Sequence, residues 1–244
     1  MAFKHGSKAR VYVNGHDLTG YLRSFTSSGS RDSAETTTFG KTAKTYVPGL
    51  KDATLSAEGV YDGDPKAVDE VLSTALGQDQ ESLWTWFPQG DSAIGNVGYG
   101  FAAHATSYEV ESPVDDVVSV SVEAQSKVGK ERVQALHPIK EETANGQGTS
   151  LDGGASSTNG GVGYLHVTNL SGTNPTLDVT IQHSDDNGAS DPWSALITFT
   201  QVTQANTAQR IEVSGTVKRY VRVTWAIGGT GSPKATFVAA FGRK

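Results

Sequence analysis

The sequence contains no cysteine. That removes disulfides, thiolate metal sites and cysteine nucleophiles together, and it makes the fold independent of the redox state of its compartment. Long apolar runs are missing too. None approaches the roughly 18 residues that a membrane-crossing helix needs, so no membrane anchor is expected. The opening stretch, Ala2 to Lys8, has no apolar core, which argues against a secretory signal. A basic excess is also absent. The 20 Lys and Arg face 26 Asp and Glu, a net charge of −6, against the basic face of a sequence-reading nucleic-acid binder. Leu, Ile, Val and Phe supply only 51 residues, 21% of the 244. That is just above the level at which folding becomes doubtful. The chain folds, but its cores are lean.

What is present leans toward strands. Val outnumbers Leu 24 to 13, and β-branched side chains fit the pleated surface of a sheet. Arg10-Val11-Tyr12-Val13 runs into Asn14-Gly15, a turn that tolerates positive φ. A second strand follows through Tyr21, Leu22 and Phe25. Between Asp52 and Tyr61, Leu55, Ala57 and Gly59 alternate with Thr54, Ser56 and Glu58. Between Val117 and Lys127, Val118, Val120, Val122 and Ala124 alternate with Ser119, Ser121, Glu123 and Gln125. Further strands are expected at Leu83–Phe87, Tyr99–Glu111 and Arg132–Leu136. One helix is expected, capped by Asp64, with Pro65 in its first turn, an apolar stripe of Val68, Val71, Leu72, Ala75 and Leu76, and Gly77 as its stop.

A composition break suggests two domains. The segment 141–161, EETANGQGTSLDGGASSTNGG, holds six glycines in 21 residues and almost no apolar side chains. It reads as a flexible linker between a domain over 1–140 and a second over 162–244, a long surface loop inside one domain being the alternative. Six short strands, near 162–170, 176–184, 194–203, 208–213, 217–227 and 234–241, then suggest a small β-sandwich.

Signals for chemistry are weak. Gly40-Lys41-Thr42 resembles the end of a phosphate-binding loop, but Glu35 stands where that motif needs glycine. The six histidines are scattered singly. Asp185, Asp186 and Asp191 beside Asn187-Gly188 lack the alternate spacing and closing Glu of a calcium loop, and Asn-Gly is ordinary turn chemistry. Trp84 and Trp86 alternate on one strand, as a sugar-stacking platform or as core. No catalytic residue, cofactor site or metal site is expected.

The pattern V-Y-V-N-G-H-D-L-T-G-Y-L from Val11 to Leu22 resembles the first strands of the tail-tube (major tail) proteins of long-tailed bacteriophages. The stretch from Thr36 to Asp62, the helix, the tryptophan strand and V-V-S-V-S-V-E-A-Q follow in that family's order. The resemblance covers residues 1 to about 137. It implies a mainly β fold, with an N-terminal tail-tube-type β-barrel or sandwich carrying one α-helix, and a C-terminal small β-sandwich as an accessory module. It further implies a structural virion protein, not an enzyme. Hexameric rings would stack into a tube that conducts DNA during ejection, with the C-terminal module on the outer surface. The implied partners are other copies of this chain and other tail proteins (tape measure, tail terminator, baseplate or tip). The implied place is the virion tail, assembled in the host cytoplasm.

Two sets of residues follow from that reading. The polar segment Ser27–Pro48 carries Arg31, Asp32, Glu35, Phe39, Lys41 and Lys44, and is expected to be an inter-ring arm, mobile in the free subunit and ordered between rings. Tyr46 and Val47 are expected in the core, with Phe39 lacking a partner in its own chain unless it too is core. Glu58 and Glu123 are expected to face the lumen, where carboxylates would repel passing phosphates; an ordinary solvated outer face is the alternative. The competing function is a carbohydrate-binding or adhesion protein that uses the C-terminal sandwich.

Overall fold

A computed structural model of the protein describes residues 5–244. In chain order the strands are β1 (Arg10–Val13), β2 (His16–Asp17), β3 (Leu22–Glu35) and β4 (Tyr46–Val60). The helix α1 (Val68–Leu76) follows, then β5 (Ser82–Phe87), β6 (Val97–Glu111), β7 (Ser119–Ser126) and β8 (Glu131–Glu142). Next come two short strands, β9 (Gly146–Gln147) and β10 (Leu151–Asp152). The chain closes with β11 (Gly161–Ser184), β12 (Ser194–Thr198), β13 (Thr207–Val213) and β14 (Tyr220–Arg243). The fold is mainly β with one α-helix, as expected.

The chain forms two compact units, divided differently from the sequence expectation. One comprises residues up to Gly20 with Leu83–Gly100 and Arg132–Lys244; the other comprises Tyr21–Ser82 and Phe101–Glu131. The larger unit is built on β11 and β14, which pair antiparallel from Gly161↔Arg243 to Ser184↔Tyr220. Four of the expected short strands are therefore two long ones, kinked by register shifts between Val167 and Thr176. Where the ladder begins, it is buried on both faces. Leu165, Val167, Phe237, Ala239 and Phe241 enter one core, while Val162, Tyr164, Val238 and Ala240 enter another with Tyr12, Phe87, Val133 and Ala135. A near-continuous apolar run such as Gly161–Val167 is what two-sided burial demands. Farther along, Leu177, Val179 and Ile181 alternate with Asp178, Thr180 and Gln182, and only the first set is buried.

The expected linker at 141–161 is not a free chain. Its residues carry the end of β8 together with β9 and β10, which pair with β14 at Trp225 and Val221, and Ser157 bridges to Val217. The physical reason is that a glycine-rich segment can be held by backbone hydrogen bonds, which need no apolar side chain. The second core likewise joins β1, β5 and β8 to β11 and β14. His166, fully buried, ties the same strands together: its Nδ1 accepts from the Gly15 N–H at 3.2 Å, and its Nε2 lies 2.8 Å from the Thr85 hydroxyl. Gly15 has a φ of 83° and sits so close that a Cβ there would fall 2.4 Å from the Thr207 nitrogen. Only glycine fits.

In the smaller unit, β3, β4, β7 and the later part of β6 are successive neighbours, all antiparallel. Leu55, Ala57, Val120, Val122 and Ala124 are buried on one face, as the alternation requires, and the helix buries Val68, Val71, Leu72 and Ala75. The helix begins three residues later than expected. Lys66 adopts a φ of 66°, so Pro65 cannot continue into a right-handed turn, and Ala67 becomes the cap without a side-chain bond. Leu76, placed on the stripe by its spacing, is exposed at the last turn.

Candidate assembly surface

The segment Ser27–Pro48 and the residues after it form an arm. β3 and β4 pair from Leu22↔Gly59 to Glu35↔Tyr46, but β4 meets β7 only between Ala53 and Val60. Beyond Ala53 the two strands run on as a two-stranded ribbon, about seven residues or roughly 24 Å, before the turn at 36–45. The segment is not irregular, because the ladder satisfies its backbone without any core. Local side chains reinforce it. Arg31 Nε donates to the Gly49 carbonyl at 3.0 Å, Lys44 pairs with Glu35 at 3.1 Å, and the Thr36 hydroxyl meets that of Thr45 at 3.2 Å. Asp32 lies at the register shift between Arg31 and Ser33, beside Gly49. At the tip Gly40 takes a φ of 86°, and the Lys41 N–H approaches the Thr38 carbonyl at 3.4 Å.

The six arm residues singled out from sequence therefore sit together on this ribbon. Phe39 is fully exposed at its tip. Tyr46 and Val47 correct the expectation: they are not core but 53% exposed each, because no third layer covers the ribbon at their position. Leu50, exposed beside them, was not anticipated. In the described residues, every exposed large apolar side chain belongs to the smaller unit: these four, Leu76, and Tyr61, Val110, Val114 and Val117.

Glu58 and Glu123 share one face of the smaller unit's sheet. Glu58 stands opposite Ser121 and Glu123 opposite Ser56, while Ser121 in turn faces Glu109. Hydroxyls and carboxylates thus alternate across neighbouring strands, and directly opposed residues bring their Cβ atoms to within about 5.5 Å. With Thr26, Ser28 and Thr54 the face holds small hydroxyls and acids. Its acidic end opens into a groove of about 620 Å³ lined by Arg23, Glu109, Glu111, Asp115 and Asp116 among others. Among the described residues none of Glu58, Glu109, Glu111, Asp115, Asp116 and Glu123 has an ion-pair partner. The acids at 109–116 were missed from sequence; the signal was Pro113-Val114-Asp115-Asp116, an apolar residue held in a charged turn.

Charge divides along the same line. The smaller unit holds 16 acidic and 8 basic side chains, net −8, so the rest of the sequence is net +2. Among the described residues no group of three or more His, Asp or Glu side chains could hold a metal ion, and no helix is long and apolar enough to cross a membrane. Trp84 is fully buried and Trp86 half-buried against Tyr99, so the pair is no open stacking platform.

No family model and no curated protein matches the chain. Solved structures do. A chain from the virion of a native gene transfer agent particle is 16% identical, with 53% of this chain and 98% of that chain covered at a TM-score of 0.43. A chain from the tail of an empty particle of that agent, solved with C6 symmetry, is 15% identical over 51% and 94%, TM-score 0.42. A chain from the SPP1 tail tube is 12% identical over 53% and 78%, TM-score 0.45. These likenesses each cover about half of the chain.

Proposed function

We propose that this protein is a structural tail-tube subunit. Copies associate as hexameric rings, the rings stack, and the tube conducts DNA during ejection. The hydroxyl and carboxylate face with Glu58 and Glu123 lines the lumen, where fixed negative charge prevents tight phosphate contacts that would slow transit. The arm bearing Arg31, Asp32, Glu35, Phe39, Lys41 and Lys44 bridges rings, and the C-terminal strands face outward. Other tail proteins meet the ends of the tube, and the assembled particle is the virion tail, built in the host cytoplasm.

One observation carries this reading. The exposed large apolar side chains of the described residues are confined to the smaller unit and concentrate on its arm and at one end of its sheet, uncovered by the chain itself. Surfaces of that kind mark sites of association. The larger unit exposes none among its described residues, as suits a face left in water.

Negative-stain microscopy of the concentrated protein tests the proposal. The native chain should form rings or rods. Phe39→Asp should keep its melting temperature but form no rods. A native chain that stays monomeric at high concentration removes the proposal.

A further inference from the structure

The arm and the other exposed apolar cluster lie at opposite ends of one sheet. Along β4, Ala53 pairs with Ser126 at the end where the arm departs, and Val60 pairs with Ser119 at the other. The connection 112–118 between β6 and β7 lies beyond Ser119, so it belongs to the end away from the arm. There Val114 is fully exposed, and Val110, Val117 and Tyr61 are partly exposed. Glu109, Glu111, Asp115 and Asp116 line the groove at this end together with Val117. The two ends are about 24 Å apart along the strands.

Their charges are complementary. Residues 29–51 of the arm carry Arg31, Lys41, Lys44 and Lys51 against Asp32 and Glu35, net +2. The remainder of the smaller unit carries 14 acidic and 4 basic side chains, net −10. Arm against arm would oppose like charges, and so would acidic end against acidic end. Only a head-to-tail contact matches both charge and apolar surface, and such contacts propagate instead of closing a two-fold dimer.

We propose that the arm tip of one copy docks onto the valine-and-carboxylate end of the sheet in the next copy. Phe39 meets Val114 and Val117, while Lys41 and Lys44 approach Asp115 and Asp116. This rests on the assembly reading above and names the receptor for the arm.

Because the chain lacks cysteine, the contact can be tested by cross-linking. Full-length Phe39→Cys and Val114→Cys proteins, made separately, should give a disulfide-linked dimer under mild oxidation only when mixed. A charge swap supplies the second measurement. Lys41→Glu with Lys44→Glu, and Asp115→Lys with Asp116→Lys, should each lower the sedimentable fraction at least tenfold, and mixing the two proteins should restore association. These substitutions are all at exposed positions, and an unchanged melting temperature confirms the fold. The proposal is overturned if Asp115→Lys/Asp116→Lys protein sediments like the native chain, or if Phe39→Cys links only to itself. If Phe39→Asp protein still forms rods, it is the arm reading itself that fails.

Discussion

At the scale of single residues, His166 shows how a polar group can be committed to structure. Burial pushes its pKa down to about 3, so the folded protein holds the neutral ring. With Nδ1 accepting from Gly15, the proton resides on Nε2, which donates to Thr85. An unfolded histidine titrates near 6.5, so between about pH 6.5 and 3 the unfolded chain binds a proton that the native chain refuses. Stability from this group is therefore complete above pH 6.5 and falls with acidification, by roughly 1.4 kcal/mol per pH unit, or about 2 kcal/mol at pH 5. His137, desolvated and stacked on Phe237 at 4.1 Å, and His183, also desolvated, are shifted down and act in the same direction. Urea unfolding at pH 7.5 and 5.0 checks this. His166→Gln should be less stable at pH 7.5 by about 1–3 kcal/mol, since the Gly15 N–H loses its partner. Its pH dependence should flatten by one proton, and an unchanged slope would show that His166 protonates in the folded state. None of this could be read from the sequence, because a histidine gives no local sign of partners 151 and 81 residues away.

At the scale of elements, legibility followed periodicity. The alternation in Asp52–Tyr61 and Val117–Lys127 gave the correct faces, because a half-buried strand must repeat every two residues. It placed Glu58 and Glu123 on outward faces, but that they share one sheet face with Glu109 required the register. The arm was misjudged at Tyr46 and Val47, since an apolar pair on a strand normally implies a covering layer, and here that cover is absent from the chain itself. The segment 141–161 was misjudged for the converse reason. It has few side chains to bury, yet its backbone is paired. Trypsin distinguishes the two. Lys41 and Lys44 lie in an exposed turn on an unsupported two-stranded ribbon, which is marginal on its own in water. Cleavage there should precede cleavage at Lys140, where β8 is paired with β14 through Phe237↔Lys140. Mass spectrometry of early fragments should find ends at Lys41 or Lys44. First cuts at Lys140 would restore the flexible linker. Where the arm is buried by assembly, the same sites should become protected. In the proposed six-subunit ring, burial of Phe39 alone would contribute about 1.5–3 kcal/mol per contact, on the order of 9–18 kcal/mol per ring junction before ordering costs.

At the scale of the whole molecule, the two ends of the chain share one core, and this decides what a truncation does. A chain ending at Lys140 keeps Tyr12, Phe87, Val133 and Ala135 but loses Val162, Tyr164, Val238 and Ala240, against which they pack. It also removes β14, the neighbour of β8, and His166, the partner of Gly15 and Thr85. Exposing several buried large side chains costs about 1.5–3 kcal/mol each, so four or five of them match the whole stability of an ordinary domain, about 5–15 kcal/mol. The strands of the smaller unit keep their mutual ladders, since the paired residues of β3, β4, β7 and the later part of β6 all lie before residue 131. The truncated chain should therefore lose the near-ultraviolet circular dichroism of Trp84, now fully buried, together with cooperative melting of the larger unit. Residues before Gly20 and around Leu83–Gly100 should become sensitive to protease, while Tyr21–Ser82 outlasts them apart from its arm. A truncated protein that melts cooperatively at the native temperature with its tryptophan signal intact would make the C-terminal strands an independent module. The division expected from the glycine-rich segment would then stand over the one drawn by the shared core.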